Sequence, residues 1–190
     1  MKRAILLFLG VFMTSSLSFA QIGATVEKSI FGVQTGVFGL WVQHDLQLSN
    51  QIALRSEIGL DALIWGYANS IQPFWWSFQP VFTLEPRWYH NIAKRSSKGK
   101  RTHNNSANFK GFRVSYRPDL FVLSNIEGAR IIPDLFIAPT YGIRRSFLNN
   151  FNFETVLAIG WLTTYLNDFN GSDNRSELEA QLSLRLGYTF

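Results

Sequence analysis

The sequence predicts an all-β fold: a single antiparallel transmembrane β-barrel of eight strands, closed by a C-terminal strand that ends at Phe190. The main observation is an unbroken alternation of apolar and polar side chains over residues 177–190. Successive side chains of a strand point to opposite faces, so this segment has one apolar and one charged face. An N-terminal export signal and an aromatic content of 15% are the other two observations. Both suit an exported barrel whose outer wall faces lipid.

The N-terminus predicts export. Lys2 and Arg3 form a positively charged start, and residues 4–13 are an apolar run. Small residues before Ala20 then indicate cleavage between Ala20 and Gln21. An uncleaved membrane anchor is the weaker alternative, because a spanning helix needs about 20 apolar residues. We therefore expect a signal peptide over residues 1–20 and an outer-membrane β-barrel domain over residues 21–190.

Strand patterns recur along the chain. Besides the C-terminal strand, five segments alternate in the same way: residues 51–63, 78–88, 109–116, 135–145 and 151–165. Residues 22–48 must supply the rest, either as two strands turning near Gly32 to Gly36 or as one long strand from Ile30 to His44. Single-chain bacterial barrels have an even strand number, which favours two strands and a total of eight. Pro80 and Pro86 make regular pairing of segment 78–88 less expected, since central strands normally exclude proline.

The expected topology assigns each connection to one side of the membrane. With Phe190 in the periplasm, segments 64–77, 118–133 and 167–176 are extracellular, and segments 45–50, 89–108 and 146–150 are periplasmic. The long segment 89–108 carries a run of cations: Lys94, Arg95, Lys98, Lys100 and Arg101. It is interpreted as a solvated, mobile charge run, and removal of Lys94 to Arg101 is expected to leave folding intact. The alternative is an electrostatic contact with anionic lipid headgroups or a periplasmic partner; nucleic acid is not expected there.

Alternation sends six arginines and six carboxylates into the lumen, and no lysine. They are Arg55, Glu57, Asp61, Glu85, Arg87, Arg113, Arg117, Arg144, Glu154, Glu177, Glu179 and Arg185. The interior of an eight-stranded barrel is just wide enough for side chains, so these charges must be paired. Arginine suits this role because its planar fork binds carboxylates through two hydrogen bonds. The sequence therefore predicts a plugged lumen held by ion pairs; a narrow ion or small-solute channel along the same side chains is the alternative.

Catalysis is not expected. With no cysteine, the chain has no disulfide scaffold and no thiolate site. Its three histidines, His44, His90 and His103, fall near the periplasmic end of the expected topology and lack metal-ligand spacing. A nucleophilic site needs a serine, a histidine and an acid together. A lipid-modifying barrel enzyme is thus the third reading, with no catalytic residue, cofactor or metal predicted.

Aromatic residues crowd one extracellular segment: Trp65, Tyr67, Phe74, Trp75 and Trp76. They are typical of the girdle that anchors strand ends at the membrane interface. Alternatively, they form an apolar platform that binds a glycan, a lipid or another barrel. We expect a monomer with a structural or surface-interaction role, whose extracellular ligand is not defined by the sequence.

The chain also resembles known outer-membrane proteins. The ending with outward Leu186, Tyr188 and Phe190 resembles the C-terminal strand of bacterial outer-membrane barrels, which the barrel-assembly machinery reads as an assembly signal. More widely, the mature chain resembles a family of small, largely uncharacterised outer-membrane proteins of the Bacteroidetes. The resemblance lies in residues 84–89, 94–108, 142–145, 150–154 and 186–190, and Pro139-Thr140 departs from it. It implies a barrel with outer-membrane lipids and the assembly machinery as partners, and no substrate.

Overall fold

A computed structural model describes residues 24–65, 75–166 and 173–190 and confirms the closed, eight-stranded antiparallel barrel. The predicted signal peptide lies outside these residues. Nine strands are present in them: β1 Ser29–Gly36, β2 Gly39–Gln47, β3 Ile52–Trp65, β4 Trp75–Trp88, β5 Asn108–Arg117, β6 Leu123–Ser124, β7 Asp134–Phe147, β8 Phe151–Thr164 and β9 Arg175–Thr189.

Eight of these strands form the barrel wall, in the order β1, β2, β3, β4, β5, β7, β8, β9. Antiparallel pairing of β9 with β1, from Gly32–Thr189 to Gly36–Arg185, closes the cylinder. The two-residue strand β6 pairs with β4 in the segment that the sequence assigned to a loop. The six alternating segments found in the sequence correspond to β3, β4, β5, β7, β8 and β9, with ends shifted by at most three residues.

The N-terminal hairpin turns later than predicted. Its turn is Val37-Phe38, beyond the expected range of Gly32 to Gly36. Gly39 explains the position, because its φ of +148° is a backbone conformation that other residues rarely adopt. A Cβ added there would also lie 2.3 Å from the carbonyl oxygen of Leu60.

The two prolines of β4 are accommodated within a regular pairing to β3, where Pro80 faces Leu60 and Pro86 faces Leu54. On the other side, the pairing of β4 with β5 is interrupted at Glu85 and Pro86. The expectation of irregular pairing therefore holds for one neighbour only. Proline lacks an N–H group, so it can interrupt the ladder to one adjacent strand while the other ladder continues.

One end of the barrel is covered by residues 89–107, named here the cap. The cap contains the helix α1, Ile92–Ser97, and a 3₁₀ turn, His103–Asn105. Apolar side chains of the cap, of the adjoining strands and of the segment before β1 form one buried cluster: Val26, Ala53, Tyr89, Ile92, Ala107, Phe109 and Val156. The cations of this segment are largely exposed, as interpreted, but Tyr89, Ile92 and Ala107 are buried, so the segment as a whole is not a solvated turn.

Polar contacts also hold the cap in place. Arg95 Nε donates to the carbonyl oxygen of Ser106 at 2.8 Å. The guanidinium of Arg101 donates to the carbonyl oxygen of Leu148. Asn104 Nδ2 donates to Thr189 Oγ1 at 2.6 Å. The cap is thus tied to the β7–β8 turn and to the end of β9.

The cap end is where β1 begins and β9 ends. The opposite end, named here the vestibule end, carries the Val37-Phe38 turn and residues 118–133. Within the described ranges, no helix is both long and apolar enough to cross a bilayer.

Candidate functional site

The barrel wall carries apolar side chains outside and polar side chains inside. Strand β8 alternates strictly: Phe153, Leu157, Ile159 and Trp161 are exposed, whereas Asn152 and Glu154 are buried. The other large apolar side chains exposed on the wall include Leu40, Val42, Ile58, Leu84, Phe112, Ile143, Leu178, Leu182, Leu184 and Leu186. Soluble proteins rarely expose contiguous apolar surface on this scale. Charged side chains are almost never fully buried in proteins unless they are paired.

Glu154 is the centre of the charged lumen. Arg55 Nη1 lies 2.9 Å from both of its carboxylate oxygens, and Nη1 of Arg87 and of Arg144 lie 3.0 and 3.3 Å from Oε2. Arg55 also binds Asp45 with two parallel hydrogen bonds, Nε–Oδ1 at 2.6 Å and Nη2–Oδ2 at 2.8 Å. All five side chains are fully buried.

A second group surrounds Glu85. Its Oε2 accepts hydrogen bonds from Arg87 Nη2 at 2.8 Å and Arg113 Nη2 at 3.0 Å, and its Oε1 accepts from Thr140 Oγ1 at 2.6 Å. The guanidinium of Arg87 stacks over the ring of Phe109, 4.1 Å from its centroid. Arg87 therefore links the two carboxylates Glu85 and Glu154 and connects these two groups of charges to the apolar cluster of the cap. The two groups are named here the ionic layer: Asp45, Arg55, Glu85, Arg87, Arg113, Arg144 and Glu154.

A third group is nearer to the vestibule end. Arg185 Nη1 lies 2.9 Å from Glu57 Oε2, and its guanidinium stacks 3.9 Å from the ring centroid of Trp41. The indole Nε1 of Trp41 donates to Asp61 at 2.9 Å. Arg117 meets Asp61 at 3.4 Å and binds Asp134 at 2.9 Å.

Ten of the twelve predicted lumen residues take part in these three groups. Asp61 and Arg117 among them are half-buried near the vestibule end, and the other eight are buried: Arg55, Glu57, Glu85, Arg87, Arg113, Arg144, Glu154 and Arg185. Asp45 and Asp134 also belong to the network but were missed by the sequence. Asp45 was assigned to the connection 45–50, whereas β2 continues to Gln47; the alternation of Leu40, Val42 and Leu46 could have placed it inward.

Glu177 and Glu179 do not join the network. Glu177 is exposed and pairs with Arg175 of its own strand at 2.8 Å, and Glu179 accepts from Gln181 Nε2 at 2.9 Å. The reason is strand length: β1 ends at Gly36, opposite Arg185, so β9 extends beyond it towards the vestibule end. Alternation predicted the face of these residues correctly but not their depth.

Side chains fill the middle of the lumen. Each of the eight wall strands contributes at least one polar side chain that is at most 7% exposed. In strand order they include Gln34, Asp45, Arg55, Glu85, Arg113, Arg144, Glu154 and Arg185. These side chains are buried against one another and leave little open space at this level. The ionic layer and the cap cluster together close the cylinder.

Above the ionic layer the lumen widens into a vestibule of about 310 Å³. Its inner lining includes Trp41, Asp61, Arg113, Arg117 and Arg185. Its outer lining includes the exposed side chains of Phe38, Leu182 and Leu184. They lie where the short β1–β2 hairpin ends, so that the adjoining part of β9 pairs with β8 but not with β1. The vestibule therefore contacts both the polar interior and the apolar outer wall.

The predicted aromatic platform is only partly within the described residues. Tyr67 and Phe74, and the side chain of Trp65, lie outside them. Trp75 and Trp76 are half-buried, and Trp76 stacks at a tilt against Phe78, with ring centroids 5.6 Å apart. Its backbone is held by Asn125 and Ser124. Whether these rings form a girdle or a platform stays a prediction.

The three histidines lie apart from the ionic layer. His44 Nε2 is 2.9 Å from Ser29 Oγ, and the His44 ring stacks on Phe31, but no described carboxylate binds this histidine. His103 Nδ1 lies 3.7 Å from Glu27. His90 lies between Trp88 and Tyr141, where partial burial and the nearby charge of Lys110 lower its pKa. Within the described ranges, no three histidine, aspartate or glutamate side chains are grouped to hold a metal ion.

A second cavity, of about 250 Å³, lies beside the cap and is named here the basic pocket. It is lined by Asn91, Lys94, Arg95, Lys98, Lys100, Asn108 and Arg145. Arg145 Nη2 donates to Asn108 Oδ1 at 2.5 Å, and Asn108 Nδ2 donates to the hydroxyl of Tyr141 at 2.9 Å. The cation run found in the sequence thus meets an arginine from the wall.

Comparisons with known proteins return no relative: no family model, no curated protein and no solved structure matches this chain. The functional argument therefore rests on the barrel's own geometry.

Proposed function

We propose that this chain is an outer-membrane β-barrel whose lumen is sealed by ion pairs, with a structural or surface-interaction role. The observation that carries the proposal is the reversal of the usual faces, with apolar side chains on the outer wall and buried, paired charges inside. Bilayers select this arrangement, because a closed barrel satisfies its backbone hydrogen bonds internally. The resemblance to small Bacteroidetes outer-membrane proteins agrees with it.

The cap end is assigned to the periplasm in this proposal. Both the start of β1 and Phe190 lie at that end, as expected for an exported chain inserted by its last strand. The vestibule end then faces the cell exterior. Its cavity of about 310 Å³ supports a surface role, since it is open to ligands while the layer beneath it is filled.

A narrow channel is less well supported. An ion would have to displace Arg55, Arg87 and Glu154, which have no exposed surface. A lipid-modifying enzyme has less support still: the Ser29–His44 pair has no carboxylate partner among the described residues, and the aromatic ring of Phe31 covers the imidazole.

Site-directed spin labelling tests the membrane assignment. The chain has no cysteine, so Leu157→Cys, on the exposed face of β8, creates a unique labelling site. In refolded protein in vesicles, a nitroxide there should collide more with oxygen, which concentrates in lipid, than with a water-soluble nickel complex. The control Asp173→Cys, exposed just before β9, should show the reverse preference. Equal nickel accessibility at both sites would overturn the proposal.

A further inference from the structure

We propose that the basic pocket binds the phosphate group of an anionic phospholipid in the periplasmic leaflet. This inference rests on the proposed function, because it requires the outer wall to face lipid. It adds a defined site and a ligand class to a barrel that otherwise has only a general membrane environment.

The charge of the pocket is the first argument. Five of its seven lining residues are cations, and none of them is an acid. The arginines have structural duties: Arg95 binds backbone carbonyl oxygens of the cap, and Arg145 binds Asn108 and the carbonyl oxygen of Arg144. The ammonium groups of Lys94, Lys98 and Lys100 have no partner in the described part of the chain. They are thus available to an anion.

The position of the pocket is the second argument. Asn108 and Arg145 lie near the cap-end termini of β5 and β7 and occupy the face that carries the exposed side chains of Phe112, Tyr141 and Ile143. A phosphate in the pocket would therefore lie directly beside the apolar wall. The acyl chains of the same lipid can then pack on the wall while its phosphate stays in the pocket.

Neighbouring residues are typical of a membrane interface. Lys110 lies over the ring of Trp88, 6.0 Å from its centroid, and faces Tyr141 across the β5–β7 pairing. Amphipathic aromatic rings and long cations are enriched at the level of lipid headgroups. A phospholipid matches both the charge of the pocket and this setting, whereas a soluble polyanion would match only the charge.

Native mass spectrometry of the folded protein in detergent tests the inference directly. The probes are short-chain phosphatidylglycerol, short-chain phosphatidylcholine and free glycerol phosphate, each titrated separately. We expect phosphatidylglycerol to bind more tightly than phosphatidylcholine, with an affinity that falls as salt is added. Glycerol phosphate alone should bind much more weakly, because it lacks the chains that contact the wall.

The decisive variant is the triple substitution Lys94→Gln, Lys98→Gln and Lys100→Gln, which removes the three exposed lysines without touching the arginines that fix the cap. It should lower the affinity for phosphatidylglycerol by at least about tenfold, since each cation near an anionic lipid contributes separately. The matched control, Lys28→Gln, Arg130→Gln and Arg175→Gln, removes the same charge away from the pocket and should bind like the unmodified protein.

Three results would overturn the inference: no preference for phosphatidylglycerol, equal losses in both triple variants, or glycerol phosphate binding as tightly as the lipid. The last would indicate a soluble anionic partner instead. Failure of the proposed function would give a different result: a nitroxide at Leu157→Cys would collide with the water-soluble nickel complex, whatever the basic pocket binds.

Discussion

Glu154 lies among three buried arginines, Arg55, Arg87 and Arg144, at distances between 2.9 and 3.3 Å. Replacing it with glutamine would leave these guanidinium groups with an uncompensated charge in a dry interior. Removing one partner of a buried ion pair typically costs about 3–5 kcal/mol. We therefore expect Glu154→Gln to lower the free energy of unfolding by that order, measured by urea unfolding in vesicles with tryptophan fluorescence.

The control for this prediction is Glu177→Gln. Glu177 also pairs with an arginine, but the pair is 70% and 46% exposed. Exposed pairs contribute little because water screens them. Equal unfolding midpoints for Glu154→Gln and Glu177→Gln would contradict an energetically important lumen network.

Gly142 of β7 permits a close contact with Phe109 of the adjacent strand β5, beside the cap. A Cβ built on Gly142 would lie 2.2 Å from the ring of Phe109, which is fully buried and stacked on Arg87. Gly142→Ala should therefore destabilise the barrel by about 1–3 kcal/mol through overpacking. In urea unfolding, Phe109→Leu should partly relieve the clash, so the double variant should lose less than the sum of the single variants. Strict additivity would show that the ring is not the obstacle.

For single residues, the sequence predicted well which face of the barrel wall a side chain occupies. It predicted poorly how deeply that side chain is buried in the lumen. Alternation is a local property of one strand, so it identified the arginines that meet Glu154 and Glu85. It could not show that Glu177 lies beyond the end of β1, since that depends on the length of a neighbouring strand. Asp45 was missed for a different reason: it was assigned to the connection 45–50, whereas β2 continues to Gln47.

The cap is the element that the sequence interpreted least accurately. Its 19 residues contain many polar and basic side chains, and only Tyr89, Ile92 and Ala107 belong to the buried apolar cluster. No periodic pattern can emerge from so few positions. The three residues become a core element only because the barrel end provides Val26, Phe109 and Val156 for them to pack against.

We expect Ile92→Ala to loosen the cap. Ile92 is fully buried, and truncation of a buried isoleucine costs about 2–5 kcal/mol. Limited trypsin digestion should then cut at Lys98 and Lys100 faster than in the unmodified protein. Ile132→Ala, at a 41% exposed site, is the control and should leave the digestion rate unchanged. Unchanged digestion of Ile92→Ala would restore the original interpretation of a solvated turn.

The exposed end of β9 leads to a separate prediction about assembly. The Phe190 side chain is 79% exposed on the outside of the barrel, and its ring packs against that of Tyr188, with 5.4 Å between the centroids. Its loss should therefore change the stability of the folded barrel little. If the ending acts as an assembly signal, deletion of Phe190 should lower the outer-membrane level of the protein in cells, whereas Phe121→Ala should not. Normal levels after the deletion would contradict the signal.

Strand positions were more predictable than the turns that join them. Periodicity over ten or more residues located β3, β7 and β8, and the even-number rule led to two N-terminal strands. The Val37-Phe38 turn depends instead on the single residue Gly39. The pairing of Pro86 depends on which adjacent strand would accept a hydrogen bond from the N–H group that proline lacks. Such features depend on individual backbone contacts, which a pattern of apolar residues does not record.

At the scale of the whole molecule, the fold explains why charge and hydrophobicity are arranged in layers. An apolar cluster closes the cap end, paired charges fill the middle, and a vestibule of about 310 Å³ opens at the other end. The sequence predicted the filled middle, because an eight-stranded barrel leaves room only for side chains. It could not predict the vestibule, which results from unequal strand lengths around the wall.

The central claim is our proposal that this barrel spans a membrane and is sealed, and single-channel conductance of the refolded protein in a planar lipid bilayer tests it most directly. Insertion is first verified by protease protection of the strands. With every wall strand contributing buried polar side chains, we predict no conductance steps from the inserted barrel. Steady, reproducible steps whose size or ion preference changes in Arg87→Ala would contradict the sealed lumen and show that the inward charges line an ion path.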